Sequence, residues 1–143
     1  PPSTEDAALA AFPAPEAAPP PAHQVLRPSQ RSREVCEDLT TGETVMTIRR
    51  DRGAYHLDDI DLTVDAGGIE HYRIRPDDPL SASAEASWRY RMSRPGWDVR
   101  TATHTLLTAT ADSFLLTASL DAYEGETRIF ARTWQSRIPR DLV

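Results

Sequence analysis

Lysine and asparagine are absent from this chain, and its sixteen basic residues are all arginine. That bias is typical of a GC-rich gene and carries no information about catalysis. No apolar run approaches the ~18 residues that a membrane helix requires, and no signal-type apolar segment is present. With a net charge of −6 and 39% hydrophobic residues, the composition excludes a membrane protein, a basic nucleic-acid binder and a highly charged disordered chain. The 143 residues suffice for one domain.

Cysteine is nearly absent as well. Cys36 is alone and cannot form a disulfide within the chain, which agrees with a reducing, cytoplasmic location. Its neighbours Glu34, Glu37 and Asp38 disfavour a thiolate. We therefore interpret Cys36 as a small, half-buried strand or loop residue and not as a nucleophile.

Proline is concentrated near the N-terminus, where residues 1–28 hold eight of the twelve prolines and eight alanines. Because proline fixes φ and removes a backbone donor, we expect this stretch to be extended, apart from one helical turn over residues 3–9. We assign residues 1–32 to a proline-rich arm or linker and residues 33–143 to a folded domain. Since the chain begins with Pro1 and not with methionine, we expect it to be a piece of a larger protein.

From about residue 33, apolar and polar residues alternate with period two, which is typical of half-buried strands. The pattern predicts strands over residues 33–39, 44–50, 55–64, 69–75, 84–93, 97–108, 114–120 and 127–134. It predicts turns at 51–53, 67–68, 94–96, 111–112 and 124–126, a kink at 58–59 and a loop at 76–79. The last four strands suit an antiparallel meander. We predict an all-β antiparallel sandwich with an extended N-terminal arm; the alternative is an up-and-down barrel.

Motifs that carry catalysis or metal binding are missing. The sequence has no Gly-x-Ser-x-Gly, no glycine-rich phosphate loop, no His-x-x-x-His and no Cys-x-x-Cys. His56 and His71 fall on neighbouring predicted strands and could meet in a metal site, although two ordinary strand histidines are the favoured interpretation. We predict no catalytic, cofactor-binding or metal-ligating residue in this chain.

Acidic residues form two small clusters, Asp58, Asp59, Asp61 and Asp65 in the first and Asp77-Asp78 in the second. Clustered oxygen ligands can bind calcium, but the spacing is not that of a calcium loop. We therefore favour turn chemistry, in which aspartate side chains accept nearby backbone N–H groups.

Arginine alternates with aromatic residues over 88–91 (WRYR), and a second arginine cluster covers 49–52 (RRDR). Such interleaving can build a stacking platform for single-stranded nucleic acid. In a strand, however, Arg89 and Arg91 face away from Trp88 and Tyr90. Cross-strand pairing of these arginines with Asp and Glu is the better interpretation.

Several segments resemble the CocE/NonD-type serine hydrolases, the family related to cocaine esterase and X-Pro dipeptidyl-peptidase. They are residues 77–85 (DDPLSASAE), 120–125 (LDAYEG), 129–134 (IFARTW) and 138–141 (IPRD), and the proline-rich arm is also similar. The resemblance implies the C-terminal region of a larger enzyme, in which a jelly-roll-like β domain packs on an α/β-hydrolase domain carrying a Ser-His-Asp triad. No position here matches a residue of that triad, so we expect this chain to be inactive alone.

The resemblance therefore predicts a non-catalytic β domain that supports an enzyme hydrolysing acyl esters or peptides. The implied partners are the upstream α/β-hydrolase domain of the same protein and a second copy of the chain, with no nucleic acid, no membrane and no cofactor. The competing hypothesis is an independent β-sandwich or barrel that binds a small ligand or a protein. A deep apolar pocket would favour the independent module, whereas one broad apolar outer face would favour docking.

Overall fold

The computed structural model describes residues 13–141 and arranges them as an eight-stranded antiparallel sheet. The strands are β1 (His23–Arg27), β2 (Gln30–Glu37), β3 (Thr44–Leu57), β4 (Leu62–Arg75), β5 (Asp78–Arg94), β6 (Trp97–Ala109), β7 (Ser113–Glu124) and β8 (Thr127–Pro139). The predicted all-β antiparallel, sandwich-like fold is confirmed. One 3₁₀ turn, Asp58–Ile60, joins β3 to β4. Over residues 13–141 no helix has the length and apolar character needed to cross a membrane.

From β3 to β8 every strand pairs with its successor, so the predicted meander is confirmed and extends further toward the N-terminus than expected. Two-residue turns link β4 to β5 (Pro76-Asp77), β5 to β6 (Pro95-Gly96) and β7 to β8 (Gly125-Glu126). Among the described strands β8 pairs only with β7. The sheet therefore does not close on itself, as the barrel alternative required.

The sheet begins ten residues before the predicted boundary at residue 33, because β1 and the first three residues of β2 lie in the segment assigned to the arm. β1 pairs with the C-terminal part of β3, where Val25 is opposite Tyr55, and β2 pairs with residues 44–51. A five-residue strand flanked by Pro21 and Pro28 is too short to show a period. Residues 13–22 are exposed and outside any helix or strand, as predicted, and the helical turn expected over residues 3–9 lies outside the described residues.

The turn predicted at residues 51–53 is wrong, since β3 runs through this position as a β-bulge. Asp51 is opposite Gly67 and Gly53 is opposite Ala66, so Arg52 is the extra residue. Gly53 has a φ of 79°, and a Cβ there would lie 2.3 Å from the Arg27 carbonyl oxygen. Only glycine meets both requirements. The chain reverses instead in the Asp58–Ile60 turn, where the sequence predicted a kink.

The turn predicted at Gly67-Gly68 is also wrong, because both glycines lie inside β4 between β3 and β5. A Cβ on Gly68 would fall 2.4 Å from Cδ2 of Trp88, the cross-strand partner of Gly68. A Cβ on Gly67 would have no neighbour closer than 3.4 Å. The pair thus serves a central strand, in which Gly68 makes room for the indole.

The register sorts the side chains onto two faces of different character, since residues directly opposite each other on paired strands point to the same side. We call one side the apolar face; it includes Ile48, Val64, Trp88, Leu120, Phe130 and Trp134. We call the other the polar face; it includes Arg27, Asp65, Glu85, Arg89, His104 and Asp121. One-sided patterns of this kind are typical of sheets that cover a core with one face.

Little of the sheet is buried. The buried apolar residues are Ile48, Val64 and Ala66, with exposures of 8%, 8% and 2%, and no large side chain of the described residues is fully buried. The chain exposes 10965 Å², whereas a compact monomer of 15.9 kDa is expected to expose about 7,400 Å². The open apolar face and the exposed residues 13–22 both contribute to the difference.

Candidate functional site

The apolar face is uncovered, and its exposed side chains include three on the edge strand β8. There Phe130, Trp134 and Ile138 point to the apolar face with exposures of 46%, 40% and 45%. Neighbouring strands extend this surface through Leu116 and Leu120 to Trp88. Thr103 lies between Leu120 and Trp88, and Arg132 is opposite Leu120, so polar side chains interrupt this surface. Exposed apolar side chains concentrated on one face mark a candidate interaction site.

Arg52 joins two aromatic residues on this face. Its guanidinium carbon lies 5.8 Å from the ring centroids of both Trp88 and Tyr90, and Nη1 donates a 2.6 Å hydrogen bond to the Tyr90 hydroxyl. Arg89 and Arg91 lie on the opposite, polar face, as predicted. Sequence reasoning missed Arg52 because its side of the sheet is decided by the bulge, which the sequence pattern does not reveal.

A polar network around Glu70 also interrupts the apolar face. Glu70 is only 8% exposed; its carboxylate accepts a 3.0 Å hydrogen bond from the Tyr72 hydroxyl and lies 3.6 Å from Nε of Arg50. The bond to Glu70 raises the pKa of Tyr72 above its usual value. A partner that covers this face must leave the network intact, because an unpaired buried charge is strongly destabilising.

The polar face pairs its charges across the strands. Arg27 donates to Asp51 and, at 2.8 Å, to Asp65, and Glu85 accepts from Arg73 at 2.9 Å and lies 3.0 Å from His104 Nε2. The hydrogen bond from Arg27 lowers the pKa of Asp51, and the contacts with His104 and then Arg73 lower the pKa of Glu85. Charges matched in this way suit a face that stays in water.

A groove of about 610 Å³ crosses the middle of the polar face. Small residues from four consecutive strands form its floor: Gly67, Ser87, Ala102 and Ser119. Arg49, Asp51, Arg89, His104 and Asp121 surround that floor. Its volume is within the usual range of ligand sites, and its floor of small residues is bordered by charged side chains.

The structure does not bring the candidate metal-binding histidines together. Both lie on the polar face of neighbouring strands, but His56 is opposite Thr63 and His71 is opposite Thr47. Eight residues of β4 therefore separate them, a distance of roughly 26 Å along the strand. Each ring instead contacts the threonine opposite, at 3.2 Å for His56 and 3.0 Å for His71.

The acidic cluster is divided between a turn and a strand. In the turn, the carboxylate of Asp58 accepts a 2.8 Å hydrogen bond from Gln24, and the carboxylate of Asp61 lies 3.6 Å from the His56 ring. In strand β4, the carboxylate of Asp65 accepts a hydrogen bond from Arg27. Within residues 13–141 no three His, Cys, Asp or Glu side chains are placed to hold one metal ion. Cys36 is exposed and not half-buried as predicted, because β2 is an edge strand.

Comparisons with protein-family models, with curated proteins and with solved structures find no match for this chain. What the chain offers toward a function is therefore its own two-sided sheet: an apolar face without a cover and a polar face whose charges are mostly paired.

Proposed function

We propose that this chain is the non-catalytic β domain of a larger cytoplasmic α/β-hydrolase that cleaves acyl esters or peptides. Its role is to dock through the apolar face onto the catalytic domain of the same protein and to stabilise that domain. The observation that carries the proposal is the uncovered apolar face itself. The resemblance to CocE/NonD-type hydrolases supports it, over residues 77–85, 120–125, 129–134 and 138–141.

The exposed area supports a large, permanent partner. The chain exposes 10965 Å², about 3,500 Å² more than expected for a compact monomer of its mass. One partner in an obligate interface contributes roughly 1,000–2,500 Å², so covering the apolar face fits within this excess. The exposed residues 13–22 contribute to the same excess.

A supporting role also fits the chemistry of the described residues. The hydrogen-bond partners of the four histidine rings are not serine or cysteine side chains among the described residues. His56 and His71 contact threonines, His104 contacts Glu85, and His23 contacts a backbone carbonyl oxygen. The side chain of Ser113, a buried serine, accepts a hydrogen bond from Arg137 and has no histidine contact among the described residues. In this proposal the nucleophile belongs to the docking partner.

Two experiments test this proposal. The reading frame upstream of this chain should encode a Gly-x-Ser-x-Gly nucleophile motif within a few hundred codons, and its absence would sink the proposal. The isolated chain, assayed on an activated acyl ester, should show no turnover above that of a serine-free control protein. Turnover that survives further purification would contradict the non-catalytic role.

The alternative is an independent β module that binds a small ligand or a protein partner. A deep apolar pocket would favour it, but the groove on the polar face is open to solvent and combines apolar residues with arginine, aspartate, serine and histidine. The broad apolar face favours docking. A chain that is monomeric and stable at high concentration, and that does not bind the hydrophobic dye ANS, would favour the alternative.

A further inference from the structure

The groove on the polar face has no role in docking, because it lies on the side of the sheet opposite the apolar face. The groove forms because Gly67 has no side chain and Ser87, on the adjacent strand, has a short one, while the long side chains of Arg49 and Arg89 border them. Arg49 is opposite Ile69 on β4, and Arg89 is opposite Gly67 on the same strand. Arg49 thus flanks the floor from β3 and Arg89 from β5.

These two arginines are weakly engaged. Arg49 has no carboxylate within ion-pair distance among residues 13–141, and Arg89 reaches only Asp65, at 4.0 Å. The carboxylates nearest the groove are held by other arginines: Asp51 by Arg27, and Asp121 by Arg128 at 3.3 Å. Arg49 and Arg89 are therefore the donors available to a ligand.

The charges around the groove are balanced. The groove residues and their direct ion-pair partners comprise four arginines (Arg27, Arg49, Arg89, Arg128) and four carboxylates (Asp51, Asp65, Glu85, Asp121). A singly charged anion therefore leaves less uncompensated charge in the groove than a doubly charged phosphate ester would.

We propose that this groove binds a small organic carboxylate, with the carboxylate between Arg49 and Arg89 and the apolar body over Gly67, Ile69 and Ala102. Guanidinium groups recognise carboxylates through paired N–H donors. The Ser87 hydroxyl, on the floor, adds a donor. This inference does not depend on the proposed docking, since it uses the other face of the sheet.

The test is a titration of the full chain with benzoate and with butyrate, followed by NMR shifts of the amides on β4 to β6. Benzamide serves as the neutral match and phenyl phosphate as the doubly charged one. We expect saturable binding of the carboxylates in the millimolar range and none of benzamide. Arg49→Gln and Arg89→Gln should each weaken binding at least about tenfold, while Arg94→Gln, an equal charge change at the β5–β6 turn, should leave it unchanged.

A second variant tests the floor without altering a charge. Gly67→Val should abolish benzoate binding by filling the groove, while the less bulky Gly67→Ala has no close backbone clash and checks that the strand tolerates a side chain. Three results would overturn the proposal: no saturable carboxylate binding, tighter binding of phenyl phosphate than of benzoate, or equal weakening by Arg94→Gln. Benzoate binding that is unaffected by Gly67→Val would overturn the placement of the ligand over the groove floor.

Discussion

The indole of Trp88 occupies the space into which any side chain at Gly68 would project, with Cδ2 only 2.4 Å from the position of a Cβ. We therefore predict that Gly68→Ala destabilises the sheet by about 2 kcal/mol, because Trp88 or the β4 backbone must shift. The measurement is the free energy of unfolding in urea, followed by tryptophan fluorescence.

Gly67→Ala is the matched control, one residue away on the same strand. Its new methyl group would meet nothing closer than 3.4 Å, so its stability should change by less than about 0.5 kcal/mol or rise, since alanine restricts the unfolded chain. Equal destabilisation by both substitutions would show that β4 itself rejects side chains and that Trp88 is not the cause.

Arg27 links β1 to two other strands, because its guanidinium group donates hydrogen bonds to Asp51 on β3 and to Asp65 on β4. We predict that Arg27→Gln speeds hydrogen exchange of the amides of residues 23–27 with little change in global stability, since these ion pairs are exposed to solvent. The control is Arg31→Gln on β2, an exposed arginine without an ion pair among the described residues. An unchanged exchange rate in β1 would contradict this role.

Glu85 should contribute a pH-dependent part of the stability. Its pKa is lowered in the folded state by His104 and Arg73, so its contribution is present above the unfolded-state value of 4.5 and is lost as pH falls through the lower folded-state value. We predict that Glu85→Gln costs about 0.5–1 kcal/mol near neutral pH. That cost should shrink in acid, as followed by urea unfolding at a series of pH values.

Glu34 provides the comparison for this pH series, since it lies exposed on the edge strand β2 and has no ion pair among the described residues. Glu34→Gln should show no such pH-dependent difference. A cost of Glu85→Gln that stays constant into acid would mean that the substitution acts through shape and not through charge.

Alternation alone predicted much of the C-terminal half of the sheet. From Trp97 onward the strands are long and the turns carry glycine or aspartate. The alternation of apolar residues and the positions of the turn residues therefore indicate the same strand boundaries. The same rules failed at Gly67-Gly68 and at Asp51-Arg52-Gly53, because glycine is required there by tertiary contacts. Gly68 leaves room for the Trp88 indole, and Gly53 leaves room for the Arg27 carbonyl oxygen. Such needs are set by residues distant in sequence and leave no local signal.

Part of the candidate site could likewise be predicted from the sequence, and part could not. Alternation along β5 and β8 follows from counting, so Trp88, Tyr90 and Met92 could be assigned to one face of β5, and Phe130 and Trp134 to one face of β8, from the sequence. The groove could not be predicted, because it depends on which residues of β3 to β7 are opposite one another. A shift of one residue in that register would separate Gly67 from Arg89.

The central claim is that the apolar face docks onto an α/β-hydrolase domain of the same protein, and β8 provides the most direct test. Trp134→Glu places a charge on the apolar face, whereas Thr133→Glu places the same charge on the polar face one residue away. The measurement is the affinity of each chain for the separately produced upstream domain. We predict that Trp134→Glu weakens binding about 30-fold or more while Thr133→Glu changes it less than about threefold. Equal weakening by both variants, or no binding by the unaltered chain, would contradict the claim.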